Sequence, residues 1–354
     1  MKRRLFLSGS GATLVALAGC GGGGGGGAAA ESLGSTAAAD TSLLTGVSAG
    51  SLAPAPAPAP GASPAPAPTP APAPAPAPTP APAPAPSSGL PQKVLACYYT
   101  AWDTGTYKID AVPVDFNVIY LFHAKPNGNP VNGSWNNVGD GSFKFEHYAE
   151  VTSAQVQRCR NRGQRVILTV GGAQAGFNFN TRQKSQNFVA SFQDMYNRLG
   201  GLDGCDFNNF EANIGSSPAE MVWISQQLKA IYGPDFAITA PPQPNSLEDR
   251  AMLRAMSDAG VLTWAAPQYY DWSGFNAVGF ISNRTNDWVY DLGADKVMLG
   301  LAANYANGPS LQDCIREWDV VKARHPGVRG MFCWSAQLNL SGGNTWGRTM
   351  VARL

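Results

Sequence analysis

The sequence predicts an α/β chain folded as a (β/α)8 TIM barrel, preceded by a disordered Gly-rich and Ala-Pro linker. Three observations carry this. From Lys93 onward, short β-branched or aromatic runs alternate with longer helical patterns, as parallel strands joined by helical crossovers do. Eight such strands are spread over about 260 residues, the size of one such barrel. Composition also divides the chain. All nine tryptophans lie after position 100, whereas 16 of the 28 prolines fall between Pro54 and Pro86, and Gly21–Gly27 is unbroken glycine.

The predicted strands are 93–99, 116–123, 165–170, 203–210, 235–240, 262–270, 296–302 and 328–334, with helical segments near 148–162, 184–199, 218–232, 247–258, 284–292 and 310–324. Phe188, Phe192 and Tyr196 recur at steps of four, an apolar stripe for packing on a sheet. An open doubly wound sheet is the alternative. It would want a glycine-rich phosphate loop after the first strand, and none is there.

The leader divides into residues 1–20, an export signal, and 21–91, a linker; residues 92–354 form the barrel. Lys2-Arg3-Arg4 precedes a mostly apolar run, Leu5–Ala18, too short to cross a bilayer as a helix. Leu17-Ala18-Gly19-Cys20 resembles a bacterial lipobox, whose cysteine is lipidated and becomes the new N-terminus; ordinary cleavage with Cys20 as a bystander is the alternative. Arg3-Arg4-Leu5-Phe6-Leu7 also resembles a twin-arginine signal. The expectation is an exported lipoprotein of the cell envelope or surface, the outer membrane included, held to the membrane by its lipid. Alternating Ala-Pro favours extended polyproline II. At ~3.1 Å per residue, Pro54–Pro86 reaches roughly 100 Å.

Charge narrows the function classes. The chain has 25 Lys and Arg and 24 Asp and Glu, and after Pro91 there are 22 of each. A neutral domain argues against a nucleic-acid or anionic-membrane binder. Charged residues make up 14% of the chain, too few for a disordered polyelectrolyte.

Barrel chemistry lies at the C-terminal ends of the strands. Those ends read Tyr98-Tyr99-Thr100-Ala101-Trp102, Thr169-Val170-Gly171-Gly172, Asp203 through Glu211, Gln268-Tyr269-Tyr270-Asp271 and Phe332-Cys333-Trp334-Ser335. Carboxylates, amides and large aromatics converge on one rim. Aromatic faces stack on sugar rings and carboxylates cleave glycosidic bonds, so the rim reads as a carbohydrate site.

These five strand ends together resemble glycoside hydrolase family 18, the chitinases and endo-β-N-acetylglucosaminidases. Tyr98-Tyr99-Thr100-Ala101-Trp102 is similar to the family's Gly-Tyr-Tyr-x-x-Trp, with Cys97 in place of the glycine. Thr169-Val170-Gly171-Gly172 is similar to Ser-x-Gly-Gly, Gln268-Tyr269-Tyr270 to Gln-Phe/Tyr-Tyr, and Trp334-Ser335 to Trp-Ser. Asp203–Glu211 resembles Asp-Gly-x-Asp-x-Asp-x-Glu but departs from it. Anchored on Asp203 and Asp206, the third acid position is Asn208 and the glutamate position is Phe210. Glu211 comes one residue late. Alternation puts Asp206, Asn208 and Phe210 on one face, so Glu211 joins Asp206 only through a bulge or after the strand has ended.

In that family the substrate's own 2-acetamido oxygen attacks the anomeric carbon, an exception to the two-carboxylate scheme. The resemblance implies β-1,4-linked N-acetylglucosamine polymers as substrate, no cofactor, and Glu211 as acid/base. Asn208 or Asn209 would orient the acetamide, Asp206 would be the supporting carboxylate, and Tyr270 would complete the catalytic group. Tyr99, Gln268, Trp334, Trp102 and Asp203 would bind substrate. An asparagine accepts the acetamide N–H but supplies no charge, so two readings remain: a slowed or reprogrammed hydrolase, or a lectin-like barrel. A purely structural lipoprotein is a third, opposed by the aromatic strand ends. Asp271 reads as a second acid or a cap, and His123 as a hydrogen-bonded strand-end residue. No cysteine–histidine spacing marks a metal site. Five cysteines follow Cys20, and Cys314–Cys333 is the disulfide expected. A monomer is expected.

Overall fold

The computed structural model describes residues 89–354 except 104, 106, 209–213, 272 and 273. The leader, with Cys20, lies outside the described residues. Nine strands form in chain order: β1 (Val94–Thr100), β2 (Val118–Pro126), β3 (Phe143–Lys144), β4 (Arg165–Gly171), β5 (Gly204–Asn208), β6 (Ala237–Ala240), β7 (Trp264–Ala265), β8 (Met298–Ala302) and β9 (Gly330–Trp334). Eight of them pair in parallel in the order β7-β6-β5-β4-β2-β1-β9-β8. Bridges Ala265–Val297 and Gln268–Gly300 join the first to the last and close the barrel.

Two elements depart from the sequence reading. The predicted strand 262–270 is reduced to Trp264–Ala265, because Pro267 has no N–H for the ladder; pairing resumes at Gln268. Gly300 faces this break, and a Cβ there would lie 2.6 Å from the Pro267 carbonyl oxygen and the Phe332 ring. β3 is an added strand, antiparallel to β2, in a Gly- and Asn-rich excursion that no alternation announces.

The helices are α1 (Ser153–Asn161), α2 (Arg182–Arg198), α3 (Pro218–Tyr232), α4 (Leu247–Asp258), α5 (Phe280–Leu292), α6 (Leu311–Arg324), α7 (Ala336–Ser341) and α8 (Thr345–Val351). Thr152, Thr181, Ser246 and Ser310 cap α1, α2, α4 and α6 with side-chain acceptors, which fixes their starts. At the first crossover, where the sequence predicts no helix, β1 and β2 are linked by one 3-10 turn, Ile109–Ala111, with no α-helix among the described residues.

Alternation splits the core in two. Val94, Ala96, Tyr98, Val118, Tyr120, Phe122, Trp264 and Phe332 fill the lumen. Leu95, Cys97, Tyr99, Leu121, Phe207 and Cys333 face the helices. The stripe Phe188, Phe192, Tyr196 is buried against the sheet as predicted. All five cysteines are buried and reduced. The expected Cys314–Cys333 disulfide is therefore absent: Cys314 lies against the Pro309 carbonyl, and each thiol packs as a small apolar group.

Gly89–Pro91, assigned to the linker by composition, are tied to the barrel floor. Arg165 donates to the Gly89 carbonyl at 2.8 Å and Arg329 to that of Pro91 at 3.2 Å, while Leu90 packs on the lumen cluster.

Candidate active site

The C-terminal rim holds a cavity of about 200 Å³ lined by Thr100, Trp102, Phe122, His123, Asn208, Gln268, Tyr270, Asp271, Tyr305 and Trp334, among others. One inward position before the cavity-lining Asn208, Asp206 is buried at the centre of β5. Three hydroxyls from three strands donate to its carboxylate: Tyr98 at 2.8 Å, Thr169 at 3.0 Å and Thr239 at 2.6 Å. Burial raises its pKa to about 6, and these three bonds pull against that rise. Burial and the nearby Asp206 charge push the Tyr98 phenol well above its ordinary range, so it remains a donor.

Asn208 occupies the next inward position. It is buried, lines the cavity, and its Oδ1 has no hydrogen-bond partner among the described residues. A buried amide oxygen without a partner is costly, and one lining a cavity is suited to accept from a ligand. Tyr270 donates to Gln268 Oε1 at 2.5 Å, and Gln268 donates to the Pro241 carbonyl at 2.7 Å. Trp334 lies near-parallel to Tyr270, 6.4 Å between ring centroids, and meets Phe122 edge-on at 5.1 Å. Trp102 stands at the mouth, 45% exposed.

The structure thus gathers Asp206, Asn208, Tyr270, Gln268, Trp334 and Trp102 on one rim. Two expected residues do not join them. Tyr99 points outward into the helix layer and donates to the Tyr107 carbonyl at 2.9 Å; its neighbour Tyr98 takes the lumen position. The signal was present, since Ala96, Tyr98 and Thr100 share one face by alternation. Asp203 precedes β5 at the opposite end of the barrel. It is buried against Arg160, with Nη2 donating at 3.4 Å and Nε 3.2 Å away but not aimed at an oxygen. It also accepts the Val166 N–H at 2.9 Å. It braces α1 and β4 and cannot reach substrate. Thr169 and Thr239 were not singled out as site residues. Glu211 and Asn209 lie outside the described residues.

Asp271 lines the cavity in a left-handed conformation, φ 60°, and accepts from Tyr305 at 3.0 Å. The Gly171-Gly172 turn also has a local cause. Gly172 has φ 121°, and a Cβ there would sit 2.6 Å from the Phe122 ring and 3.0 Å from His123 Nδ1. Among the described residues, no group of three or more His, Cys, Asp or Glu could hold a metal.

No family model matches the chain. Endochitinase 3 of Metarhizium robertsii is 26% identical over 265 residues, covering 64% of this chain and 80% of that protein. A structure assigned as chitinase A of Streptomyces coelicolor superposes with a TM-score of 0.62 at 22% identity, covering 74% of this chain and 98% of the other. A family 18 chitinase of Chromobacterium violaceum gives 0.60 at 19% identity, covering 74% and 83%. The chain shares its barrel fold with these family 18 chitinases. In this barrel the rim residues gathered above come from β1, β2, β5, β9 and the segments that follow β7 and β8.

Asp206 supplies a test by pH. The unfolded carboxyl has its ordinary value of 3.8 and the folded one about 6. The folded state therefore binds the proton more tightly, and stability falls as pH rises from about 4 to about 6, by roughly 3 kcal/mol. Asp206→Asn removes this slope. Urea unfolding at pH 4 and pH 7 should show a wild-type-minus-variant difference that changes by nearly that amount; an unchanged difference would mean that Asp206 titrates alike in the folded and unfolded states.

Proposed function

We propose that the chain hydrolyses β-1,4-linked N-acetylglucosamine polymers, chitin or chitin-like glycans, with retention of configuration. One observation carries the reading. Of two successive inward positions of β5, one holds the buried Asp206 carboxylate and the other, Asn208, lines a cavity walled by Tyr270 and Trp334 with an amide oxygen that has no partner among the described residues. A 2-acetamido sugar offers an N–H donor for Asn208 Oδ1, which none of the described residues supplies. Holding the acetamide there aims its carbonyl oxygen at the anomeric carbon, the geometry for substrate-assisted attack. Trp334 supplies the apolar face for the sugar ring.

Asp206 is the supporting carboxylate. Near neutral pH it is ionised, and its negative charge offsets the positive oxazolinium formed after attack. Glu211 protonates the leaving oxygen and then takes the proton from water. Asn208 gives no second charge, and a charge of this kind is worth ~3 kcal/mol, about a hundredfold in rate. A slow hydrolase is the consequence. That same asparagine favours the second reading, a lectin-like barrel that binds the glycan without cleaving it.

Release of fluorophore from a chitobioside separates the two. Wild type is expected to release it and Glu211→Gln to lose at least about a hundredfold. Asn208→Asp is expected to raise the rate, and Asn209→Asp to raise it only if Asn209 is the orienting amide. Retained chitin binding with no release by wild type would establish the lectin reading.

On the same proposal, Cys20 carries a lipid that anchors a monomeric barrel to an envelope or surface membrane through the segment that precedes Gly89. Labelling by radioactive palmitate in a bacterial host, lost in Cys20→Ser, is the expected outcome; equal labelling would reject the anchor.

A further inference from the structure

His123 belongs to none of the roles above. Its ring is buried, lines the cavity, stacks flat on Phe122 with centroids 4.1 Å apart, and meets the Trp102 ring at 5.6 Å. Nδ1 lies in close hydrogen-bond contact with the Gly171 carbonyl oxygen. A carbonyl only accepts, so Nδ1 must carry the proton. In the neutral ring Nε2 is then a bare acceptor, and it has no partner among the described residues. Burial lowers the His123 pKa to about 4, which keeps the ring neutral near pH 7. Gly172 leaves space for this arrangement, since a Cβ there would strike both rings.

We infer that His123 is a specificity residue: through Nε2 it accepts a hydrogen bond from a hydroxyl or amide N–H of a glycan bound between Trp102 and Trp334. The inference rests on the proposed carbohydrate site but not on catalysis there. A fixed acceptor complements the donor-rich edge of a pyranose, whereas a rotating hydroxyl such as Thr100 would not dictate the direction of the bond. The Nδ1–Gly171 contact and the Phe122 stack set the tautomer and the ring plane, so the acceptor is oriented before the sugar arrives.

The test reads binding rather than turnover. Chitotetraose and cellotetraose are titrated by calorimetry into Glu211→Gln protein, alone and combined with His123→Phe or His123→Gln, and sugar products are followed separately by chromatography. His123→Phe keeps the ring stack and removes the acceptor; it is expected to weaken binding about three- to ten-fold, the worth of one neutral hydrogen bond. In His123→Gln the amide N–H faces Gly171 and the carbonyl takes the place of Nε2, so most of that loss is recovered. Unchanged affinity in His123→Phe overturns the inference. If that variant does not fold, nitrogen-15 NMR of the His123 protein decides. Nε2 should resonate as an unprotonated nitrogen and shift on sugar addition, and a protonated or unresponsive Nε2 overturns it. Sugar cleavage by Glu211→Gln would reject the catalytic assignment alone, and no binding of either sugar would reject the site with the inference.

Discussion

The rim is organised around one carboxylate. Asp206 sits in the barrel lumen with hydroxyl donors from β1, β4 and β6 around it. No single strand could supply these. They meet because parallel pairing places Thr169 beside Asp206 and Asp206 beside Thr239, and because barrel curvature turns Tyr98 across the lumen. Removing any donor would leave a buried charge less satisfied, so the fold and the site constrain each other. The same carboxylate separates the packed lower lumen, with Tyr120 and Trp264 bonded at 2.7 Å, from the open cavity above.

Side-chain alternation explains which residues serve the site and which serve the fold. On β1 the two tyrosines of one motif part company, Tyr98 to the lumen and Tyr99 to the helices. On β5, Asp206 and Asn208 face in while Cys205 and Phe207 face out. On β9, Trp334 faces the cavity and Cys333 the helix layer. Buried thiols in that layer need no disulfide, because helices on one side and the sheet on the other already exclude water. Asp203 belongs to the structural set, an acid paired with Arg160 beneath the barrel.

Much of this was legible in the sequence. The eight parallel strands and six of the helices could be read because β-branched runs and capped amphipathic stripes are local signals. Asp206, Asn208, Gln268, Tyr270 and Trp334 were legible as rim residues because they lie at or near strand ends. Tyr99 and Asp203 were misplaced because a motif names residues without saying which face each takes. The hydroxyl cradle from Thr169 and Thr239 joins strands far apart in sequence, and no local pattern reports it. The β3 excursion and the shortened β7 follow from glycine, asparagine and Pro267, whose effect depends on what pairs beside them. His123 was read as a strand-end residue; its tautomer emerges only once Gly171 is known to face Nδ1.

The central claim is that the sugar's own acetamide is the nucleophile, oriented from the floor of this cavity. Proton NMR of chitotetraose digestion, recorded before mutarotation, tests it most directly. Attack by the acetamide followed by water gives two inversions at the anomeric carbon, so the β-anomer should appear first. First formation of the α-anomer would show direct attack by water and contradict the account.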